Sequence, residues 1–340
     1  MIFSPITIDG LTIKNRFVMA PMCMYKSDND GKVTPFHIVH YASRAMGGIG
    51  LIIVEATGIE ECGKISDNCL GIYSDEHVQG LSQIVKEVHS NGAKIGIQLA
   101  HAGRKCTASV PITYSPTALP YDQTYKIPKE ATQEDILRIL QSYKLAAIRA
   151  KQAGFDIVEI HAAHGYLLSS FLSPLTNKRT DEYGGNIKNR ANMLDKVIEV
   201  VKEGFEGPVS IRVNASDIEE GGVTPESIAE TLNIVKSKGI CLVHVSSGGL
   251  VPVFANTFPG HQVPYAQTIK NLTSLPVIAG GQLTSPQHMQ DIISNNRADM
   301  VFIGRELMRN PFFPLKAANE LDEDIPWPYT NKAMASVGRY

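Results

Sequence analysis

The sequence predicts a (β/α)8 TIM barrel, in which eight parallel strands are each followed by a helix and long loops extend from the C-terminal face. Eight short runs rich in β-branched residues each precede a helical pattern, and nothing interrupts the alternation. The 340 residues exceed the about 250 that such a barrel needs, which leaves room for long loops. No GxGxxG motif follows the first strand, which counts against the runner-up, a doubly wound sheet with an added domain.

Each strand is predicted from a short apolar run, and each helix from apolar residues recurring every three or four positions. The strands are predicted at residues 17–20, 50–55, 94–99, 156–161, 209–213, 242–246, 276–279 and 300–303. The helices are predicted at residues 36–46, 75–90, 133–153, 186–202, 225–237, 265–272 and 286–294, and an eighth begins after Gly304. Thr224-Pro225 and Ser285-Pro286 are helix-start signals, and Gly239 after a basic turn is a stop signal.

The residues beyond the needs of a barrel are predicted to lie mainly at one end of it. They fall at 102–132, 166–185 and 247–262, and in the tail from Leu321. The first three segments follow strands, so we expect them at the C-terminal face, where barrels of this kind build their sites. We draw no internal boundary and predict one domain over residues 1–340, with residues 321–340 as an extended C-terminal arm.

Composition and charge narrow the function class. Thirty-two Lys and Arg residues against 34 Asp and Glu residues give a net charge of −2, which argues against a dedicated nucleic-acid binder or a polybasic membrane binder. The apolar runs are strand-sized, and the first residues lack the basic flank and apolar stretch of a signal peptide. The five cysteines form no CxxC pair, so we expect free thiols in a reducing, cytoplasmic setting.

Polar side chains are predicted to converge at the mouth of the barrel. Side chains alternate along a strand, so if His161 faces the mouth, Glu159 also points inward while Val158 and Ile160 pack under helices. The same alternation places the inward-facing Gln98 at the end of the third predicted strand and Arg212 at the end of the fifth, while Ala56 follows the second. Taken alone, each of these residues could be a rim residue whose hydrogen bonds are satisfied within the protein. Their convergence at one opening favours a binding site for a polar ligand.

Two glycine turns predict a phosphate site. Gly280-Gly281 follows the seventh predicted strand and Gly304-Arg305 follows the eighth, the positions where barrels commonly hold a phosphate. Glycine lets backbone N–H groups approach phosphate oxygens, and an arginine adds a charge-assisted contact. Ordinary strand-ending turns are the alternative.

The segment HAAHGY at residues 161–166 is the richest in chemistry. His161 and His164 could ligate zinc with His101 or Asp217 as a third ligand, although no tight cluster supplies one. They could instead donate hydrogen bonds to a carbonyl oxygen on which charge develops, with Tyr166 as a proton donor. The third possibility is that the two histidines pack in the rim with their hydrogen bonds made within the protein.

These residues belong to a pattern that resembles the old yellow enzyme family along almost the whole chain. Its parts are FSPITI at 3–8, LTIKNR at 11–16, QLAHAGR at 98–104, HAAHGY at 161–166, FLSP at 171–174, RTDEYGG at 179–185, FIGREL at 302–307 and NPF at 310–312. The segment PMCMY at 21–25 is similar to the cysteine-containing bacterial branch, the YqjM-type NADPH dehydrogenases. Yeast-type members have a threonine at the Cys23 position and an asparagine at the His164 position.

The resemblance implies a non-covalent FMN across the barrel mouth. Its ring would be lined by Ala20, Pro21, Met22, Cys23, Ala56 and Gln98, and Arg212 would lie near the polar edge of the ring. Gly281, Gly304 and Arg305 would hold the phosphate, in agreement with the glycine turns.

The resemblance also implies an ene-reductase. NADPH would give a hydride to flavin N5, and N5 would pass it to the β-carbon of an α,β-unsaturated aldehyde or ketone, with quinones and nitro compounds as further substrates. His161 and His164 would hold the carbonyl oxygen, and Tyr166 would protonate the α-carbon. Cys23 would tune the flavin, with a buried inert thiol as the alternative, and Tyr25 would contact the substrate.

The resembling branch forms homotetramers of dimers in which a C-terminal arginine reaches the neighbour's site. Arg339 is the candidate here, although it is penultimate, and a solvated terminus is the alternative. The rival functions are another FMN barrel reductase, of the dihydroorotate or dihydrouridine type, and a non-catalytic flavin-binding protein. A dienoyl-CoA-type reductase would need clustered cysteines for an iron–sulfur cluster, and the cysteines here are scattered.

Overall fold

A computed structural model describes residues 1–253, 256–329 and 333, and these begin with a hairpin that the sequence analysis did not predict. Strands β1 (Ile6–Ile8) and β2 (Leu11–Ile13) pair antiparallel around Asp9-Gly10. Both turn residues have positive φ, +46° and +81°, as a tight hairpin turn requires. Ile8 and Ile13 pack among the apolar residues that begin the barrel strands, so the hairpin covers the N-terminal end of the barrel.

Eight parallel strands close into a barrel, and each coincides with a predicted strand. The first and last strands of the barrel pair with one another, so the sheet has no open edge. The barrel strands are β3 (Phe17–Met19), β4 (Leu51–Gly58), β5 (Lys94–Ala100), β8 (Ile157–Ala162), β9 (Val209–Asn214), β10 (Ile240–Ser246), β11 (Val277–Ala279) and β12 (Met300–Ile303). The prediction of a (β/α)8 barrel is therefore confirmed.

The predicted parity of the strands is also confirmed. Ile157 packs in the cluster inside the barrel, and Val158 and Ile160 belong to the larger cluster between strands and helices. Alternate residues of one strand therefore serve two cores, as a strand that is buried on both faces requires.

The helices surround the barrel, and every predicted helix is present. They are α1 (Pro35–Met46), α2 (Val78–Ser90), α3 (Gln133–Ala153), α4 (Leu167–Leu172), α5 (Ile187–Gly204), α6 (Pro225–Val235), α7 (Val263–Thr273), α8 (Pro286–Ser294), α9 (Arg305–Arg309) and α10 (Phe313–Glu320). The sequence analysis missed α4 and the two-residue strands β6 (Tyr114–Ser115) and β7 (Lys129–Glu130), which lie in the long loops. They are too short for a periodic pattern to reveal them.

The second predicted strand ended too early. Strand β4 continues to Gly58, and its pairing with β5 shifts register between Val54 and Thr57. Ala56 therefore lies within the strand at this bulge, and not after the strand as predicted. A bulge next to a barrel rim changes the direction of the side chains near it, and the alternation of residues does not reveal it.

The C-terminal segment has no helix or strand between residues 323 and 329. Trp327 and Tyr329 are 46% and 49% exposed. Arg339 and the rest of the predicted arm beyond Tyr329, except residue 333, lie outside the described residues. Within the described part of the chain, no helix is long and apolar enough to cross a membrane.

Replacing Thr132 with alanine is expected to lower the free energy of unfolding by about 1 kcal/mol. Thr132 Oγ1 accepts the backbone N–H of Asp135 at 3.2 Å, and the Asp135 carboxylate accepts the Thr132 N–H at 2.9 Å, so the two residues cap α3 reciprocally. Urea denaturation measures the loss. Thr132→Ser keeps the hydroxyl and should restore most of it, whereas an equal loss in both variants would assign the effect to the methyl group.

Candidate active site

Polar side chains gather at the C-terminal ends of four neighbouring strands. His161 of β8 pairs in register with Arg212 of β9, and Arg212 pairs with His244 of β10. Gln98 of β5 pairs with Glu159 of β8, which lies two residues before His161 on the same face. The strand-end residues that the sequence predicted to converge therefore share one side of the barrel mouth.

Glu159 is a fully buried carboxylate that orders the layer below the mouth. It accepts a hydrogen bond from Gln98 Nε2 at 2.7 Å and lies 2.9 Å from His244 Nδ1. Burial alone would raise the pKa of Glu159, but His244 and Arg212 outweigh it and hold that pKa below its usual value. The ionised carboxylate compensates the buried guanidinium of Arg212 and fixes the amide of Gln98 with its carbonyl oxygen free.

His161, His164 and Tyr166 form a triangle of rings at the rim. The ring centroids of His161 and His164 are 5.2 Å apart, those of His161 and Tyr166 are 5.0 Å apart, and those of His164 and Tyr166 are 6.4 Å apart. A tight turn between β8 and α4 brings them together, because His164 and Gly165 both have positive φ, +61° and +75°, and the Tyr166 N–H donates to the Ala163 carbonyl at 3.3 Å. A Cβ on Gly165 would lie 2.5 Å from the carbonyl oxygen of Gly249, so only glycine fits there.

Hydrogen bonds to neighbouring residues set which ring nitrogen of each histidine carries a proton. His161 Nδ1 accepts the backbone N–H of Ala163 at 3.2 Å, which leaves the proton of a neutral ring on Nε2. His164 Nε2 lies 2.7 Å from Ser246 Oγ, which also receives a long bond from Gln262 Nε2 at 3.4 Å. A Ser246 hydroxyl that donates to Nε2 leaves His164 with its proton on Nδ1. Each histidine then offers one N–H to a ligand.

Burial keeps all three side chains neutral. It lowers the pKa of His161 and of His164 well below 6.5, and the nearby charge of Arg212 adds to the effect. Burial raises the pKa of the Tyr166 hydroxyl well above 10, with Cys23 as a further cause. At neutral pH the rim therefore presents two uncharged N–H donors and one phenol that retains its proton.

The segment after β3 carries Cys23 and Tyr25 along the rim. Tyr25 has a positive φ of +53°, unusual for a bulky residue, and its side chain is half-exposed. The buried carboxylate of Glu55 accepts the N–H of Met24 at 2.9 Å, and the Tyr41 hydroxyl lies 3.2 Å from its other oxygen. Burial raises the pKa of Glu55 to about 7. Glu55 thus fixes the backbone between Cys23 and Tyr25.

Gly281 follows β11 and Gly304 follows β12, and each lies close to a partly buried side chain. Gly281 has a positive φ of +96°, and a Cβ there would lie 2.6 Å from His261 Nδ1. A Cβ on Gly304 would lie 3.3 Å from Met22 Sδ. Next to Gly304 the guanidinium of Arg305 is exposed, and within the described residues it has no ion-pair or hydrogen-bond partner. The two glycine turns and the guanidinium of Arg305 could therefore accommodate a phosphate beside the segment that carries Met22.

A zinc site at His161 and His164 is not favoured by the geometry. Across residues 1–253, 256–329 and 333, one group of three metal-type ligands lies close together, and it comprises Glu60, Cys62 and His101. His101 Nδ1 accepts the N–H of Gly103 at 3.0 Å, so its proton is on Nε2, which lies 3.5 Å from Glu60.

The Glu60 carboxylate is already bonded to protein groups. Arg138 donates to one of its oxygens and the Ser142 hydroxyl donates to the other at 2.6 Å. Burial would raise the pKa of Glu60, but His101, Ser142 and Arg138 together lower it. These contacts fit an ion-pair network better than a metal site. Asp217, the other proposed third ligand, accepts from Ser173 Oγ at 2.7 Å and from the Val223 N–H at 2.9 Å.

Uncharged hydrogen-bond donors and a protonated phenol at the open end of a closed barrel are typical of barrel enzymes that bind a polar ligand at the C-terminal ends of the strands. The chain belongs to the NADH:flavin oxidoreductase / NADH oxidase family, whose profile matches residues 1–324. It is therefore an oxidoreductase, and the resemblance to the old yellow enzymes is confirmed.

Three relatives illustrate the similarity. An NADPH dehydrogenase of Bacillus velezensis is 49% identical over 328 residues, which cover 96% of this chain and 97% of that protein. Among solved structures, a homologue of old yellow enzyme from Zymomonas mobilis is 30% identical with a TM-score of 0.80, covering 97% of this chain and 96% of that one. Morphinone reductase is 28% identical with a TM-score of 0.82, covering 95% and 90%.

The cofactor of this family is FMN, and the residues present at the mouth fit it. Arg212 Nε and Gln262 Oε1 are buried without a hydrogen-bond partner among the described residues, and such groups are costly unless a ligand satisfies them. Arg212 offers a cation and Gln98 a free amide oxygen for a polar ring edge. The glycine turns and the free guanidinium of Arg305 suit a phosphate.

The sequence analysis missed residues that orient the predicted ones. Asn214 Oδ1 accepts the backbone N–H of His164 at 3.0 Å, and Ser246 contacts its ring. Asn214 ends β9 two residues after Arg212, and Ser246 ends β10 two residues after His244. Both would have been found if every strand had been searched for polar residues at its C-terminal end that face inward by the same alternation. Glu55 and Gln262 give no comparable signal in the sequence.

Proposed function

We propose that the protein is an NADPH dehydrogenase that reduces the C=C bond of α,β-unsaturated aldehydes and ketones, with quinones and nitro compounds as further substrates. One observation carries the proposal: two neutral histidines and a protonated tyrosine lie within 6.4 Å of one another, by ring centroids, on one side of the mouth. NADPH as the reductant is supported by the relative from Bacillus velezensis, which is an NADPH dehydrogenase.

The residues that would hold FMN are those at the strand ends. Arg212 and Gln98 would bind the polar edge of its ring, and Gly281, Gly304 and Arg305 would bind its phosphate. Ala20, Pro21, Met22, Cys23 and Ala56 would line the ring. Bound FMN supplies hydride transfer from NADPH to the β-carbon of the substrate.

The chain's own groups then act on the substrate. His161 and His164 donate their N–H groups to the carbonyl oxygen and stabilise the negative charge that develops there. Because both rings are neutral, they hold the oxygen without giving up a proton. Tyr166 delivers its phenolic proton to the α-carbon, and Tyr25 contacts the substrate from the rim.

Two other functions would make different demands on the residues at the mouth. A barrel reductase of the dihydroorotate or dihydrouridine type uses a cysteine or serine as its acid, whereas here a tyrosine lies beside the two donors. A non-catalytic flavin-binding protein would need no proton donor at the mouth. The homotetramer, the cytoplasmic setting and the role of Arg339 in a neighbour's site stay predictions.

Anaerobic titration of the purified yellow protein tests the proposal. NADPH is expected to bleach the flavin absorbance, and cyclohexenone is expected to restore it with formation of the saturated ketone. If NADPH bleached the flavin and no enone restored its colour, but the oxidised product of a dihydroorotate-type reaction did, a reductase of that type would be favoured. If dithionite bleached the flavin and NADPH did not, a non-catalytic flavin-binding protein would be favoured.

A further inference from the structure

A lysine that the proposed function does not use lies against the turn that carries His164 and Tyr166. Lys105 Nζ donates to the backbone carbonyl of His164 at 2.9 Å and to that of Gly249 at 2.8 Å. One ammonium therefore joins the turn after β8 to the loop after β10. Both segments follow barrel strands, so this pair of bonds holds two parts of the mouth together.

The backbone around Lys105 is fixed against the same turn by contacts that do not involve the lysine side chain. Leu167 N–H donates to the carbonyl of His101 at 3.0 Å. A Cβ on Gly103, which has a positive φ of +58°, would lie 2.9 Å from Leu167 Cα, so the two segments touch backbone to backbone. The place of the ammonium therefore follows from the packing of the two segments.

The ammonium also lies over two aromatic rings. Lys105 Nζ is 5.3 Å from the ring centroid of Tyr166 and 4.3 Å from that of Tyr121. A cation within about 6 Å of an aromatic ring is attracted by the electrons of its face. Delivery of the phenolic proton would leave Tyr166 as an anion, and a positive charge nearby favours an anion. The charge of Lys105 is thus placed where it assists the loss of a proton from Tyr166.

The charged and titratable groups around Lys105 lie in its own loop and at the turn, whereas the loop after β10 faces it with a backbone carbonyl. They are Arg104, Tyr121 and Asp122 in the loop, and His161, His164 and Tyr166 at the turn. Burial lowers the pKa of Lys105 to about 8, Arg104 adds to the effect, and Asp122 opposes it. The two histidines are neutral at that pH, and Arg104, with a pKa of about 10, is charged. Lys105 is therefore the member of this group that changes charge near pH 8.

We propose that Lys105 is a positioning residue for proton delivery: it holds the turn from His164 to Tyr166 in place, and its positive charge assists the transfer of the Tyr166 proton to the substrate. The phenolic O–H bond breaks, a C–H bond forms at the α-carbon, and the phenolate that remains lies beside the ammonium until a proton from water restores the phenol. The inference rests on the proposed function, because a protein that reduces no C=C bond has no α-carbon to protonate.

Lys105→Met tests the inference, since it keeps the length of the side chain and removes its charge. In anaerobic stopped-flow absorbance of the flavin enzyme, we expect reoxidation by saturating cyclohexenone to slow about tenfold at neutral pH, while reduction by NADPH stays within about twofold of wild type. Lys105→Arg keeps a cation and should recover most of the rate. Lys126→Met is the matched control, because Lys126 Nζ also donates to two backbone carbonyls of the same long loop, at 3.3 Å and 2.6 Å, and it should behave as wild type.

The pH dependence separates an effect of the charge from a merely structural role. In wild type the limiting rate of reoxidation should fall as the pH rises through about 8, because Lys105 loses its proton there. Lys105→Arg should show no such fall, because a guanidinium stays charged over this range. Lys105→Met should be slow on both sides of pH 8, because it has no charge to lose.

Flavin absorbance and circular dichroism check that each variant folds with its cofactor. A wild-type rate of reoxidation in Lys105→Met, or equal slowing of both half-reactions, would overturn the inference and leave the proposed function intact. If Lys105→Met did not fold, a wild-type rate that stayed constant from about pH 7 to about pH 9 would overturn it instead. Failure of every enone to reoxidise the wild-type flavin would contradict the proposed function itself, and this inference with it.

Discussion

Replacing Tyr166 with phenylalanine is expected to slow the reduction of an enone by about 10²–10⁴-fold while reduction of the enzyme by NADPH continues at the wild-type rate. Only the step that consumes substrate needs a proton at the α-carbon, and Tyr166 is the protonated group beside the two histidines. Its raised pKa keeps that proton bound across the neutral range. Anaerobic stopped-flow absorbance of the flavin measures the two half-reactions separately.

Tyr143→Phe is the matched control for this variant. Tyr143 is buried in α3, and its hydroxyl has no hydrogen-bond partner among the described residues, so its removal leaves no polar group unsatisfied. This control should reduce enones at the wild-type rate. If Tyr166→Phe slowed both half-reactions equally, the hydroxyl would be acting on cofactor binding or position, and its assignment as the proton donor would be wrong.

Much of the fold could be predicted because short apolar runs, typical of buried strands, alternate regularly along the chain with the three-to-four-residue spacing of helices. Every barrel strand is buried on both faces and reads as a short apolar run, as Leu51 to Val54 does in β4. The hairpin of β1 and β2 escaped because its strands have three residues each, although Asp9-Gly10 between them is a recognised turn signal. The bulge near Ala56 escaped because it leaves the residue pattern unchanged.

The candidate site was predictable where position along a strand determines direction. Gln98, His161 and Arg212 lie together because each is among the last three residues of a parallel strand, with its side chain inward. The sequence gives no comparable signal for how deeply a side chain is buried or for the partner with which it shares a hydrogen bond. The bond from the Met24 N–H to the Glu55 carboxylate joins residues 31 positions apart, and Met24 lies in an irregular segment, so only the folded chain places them together.

Replacing His161 or His164 with alanine is expected to slow enone reduction by about 10²–10³-fold and to weaken binding of phenol-type ligands, which present an oxygen like that of the substrate. Each variant removes one N–H donor, and such a donor is worth about 3–4 kcal/mol where charge develops on an oxygen. Spectral titration of the flavin with a phenol measures the binding, and stopped-flow absorbance measures the rate.

The lowered pKa values of His161 and His164 add a pH test of the same roles. An ordinary histidine gains its charge as the pH falls through about 6.5, whereas these two stay neutral at that pH because burial and Arg212 oppose the charge. Phenol binding should therefore show no histidine titration between about pH 6 and pH 8. His89→Ala, at a partly exposed histidine paired with Asp156 outside the mouth, is the control and should bind and turn over as wild type. Chelators should have no effect, and a loss of activity on chelation that zinc restores would instead show that the two histidines hold a metal.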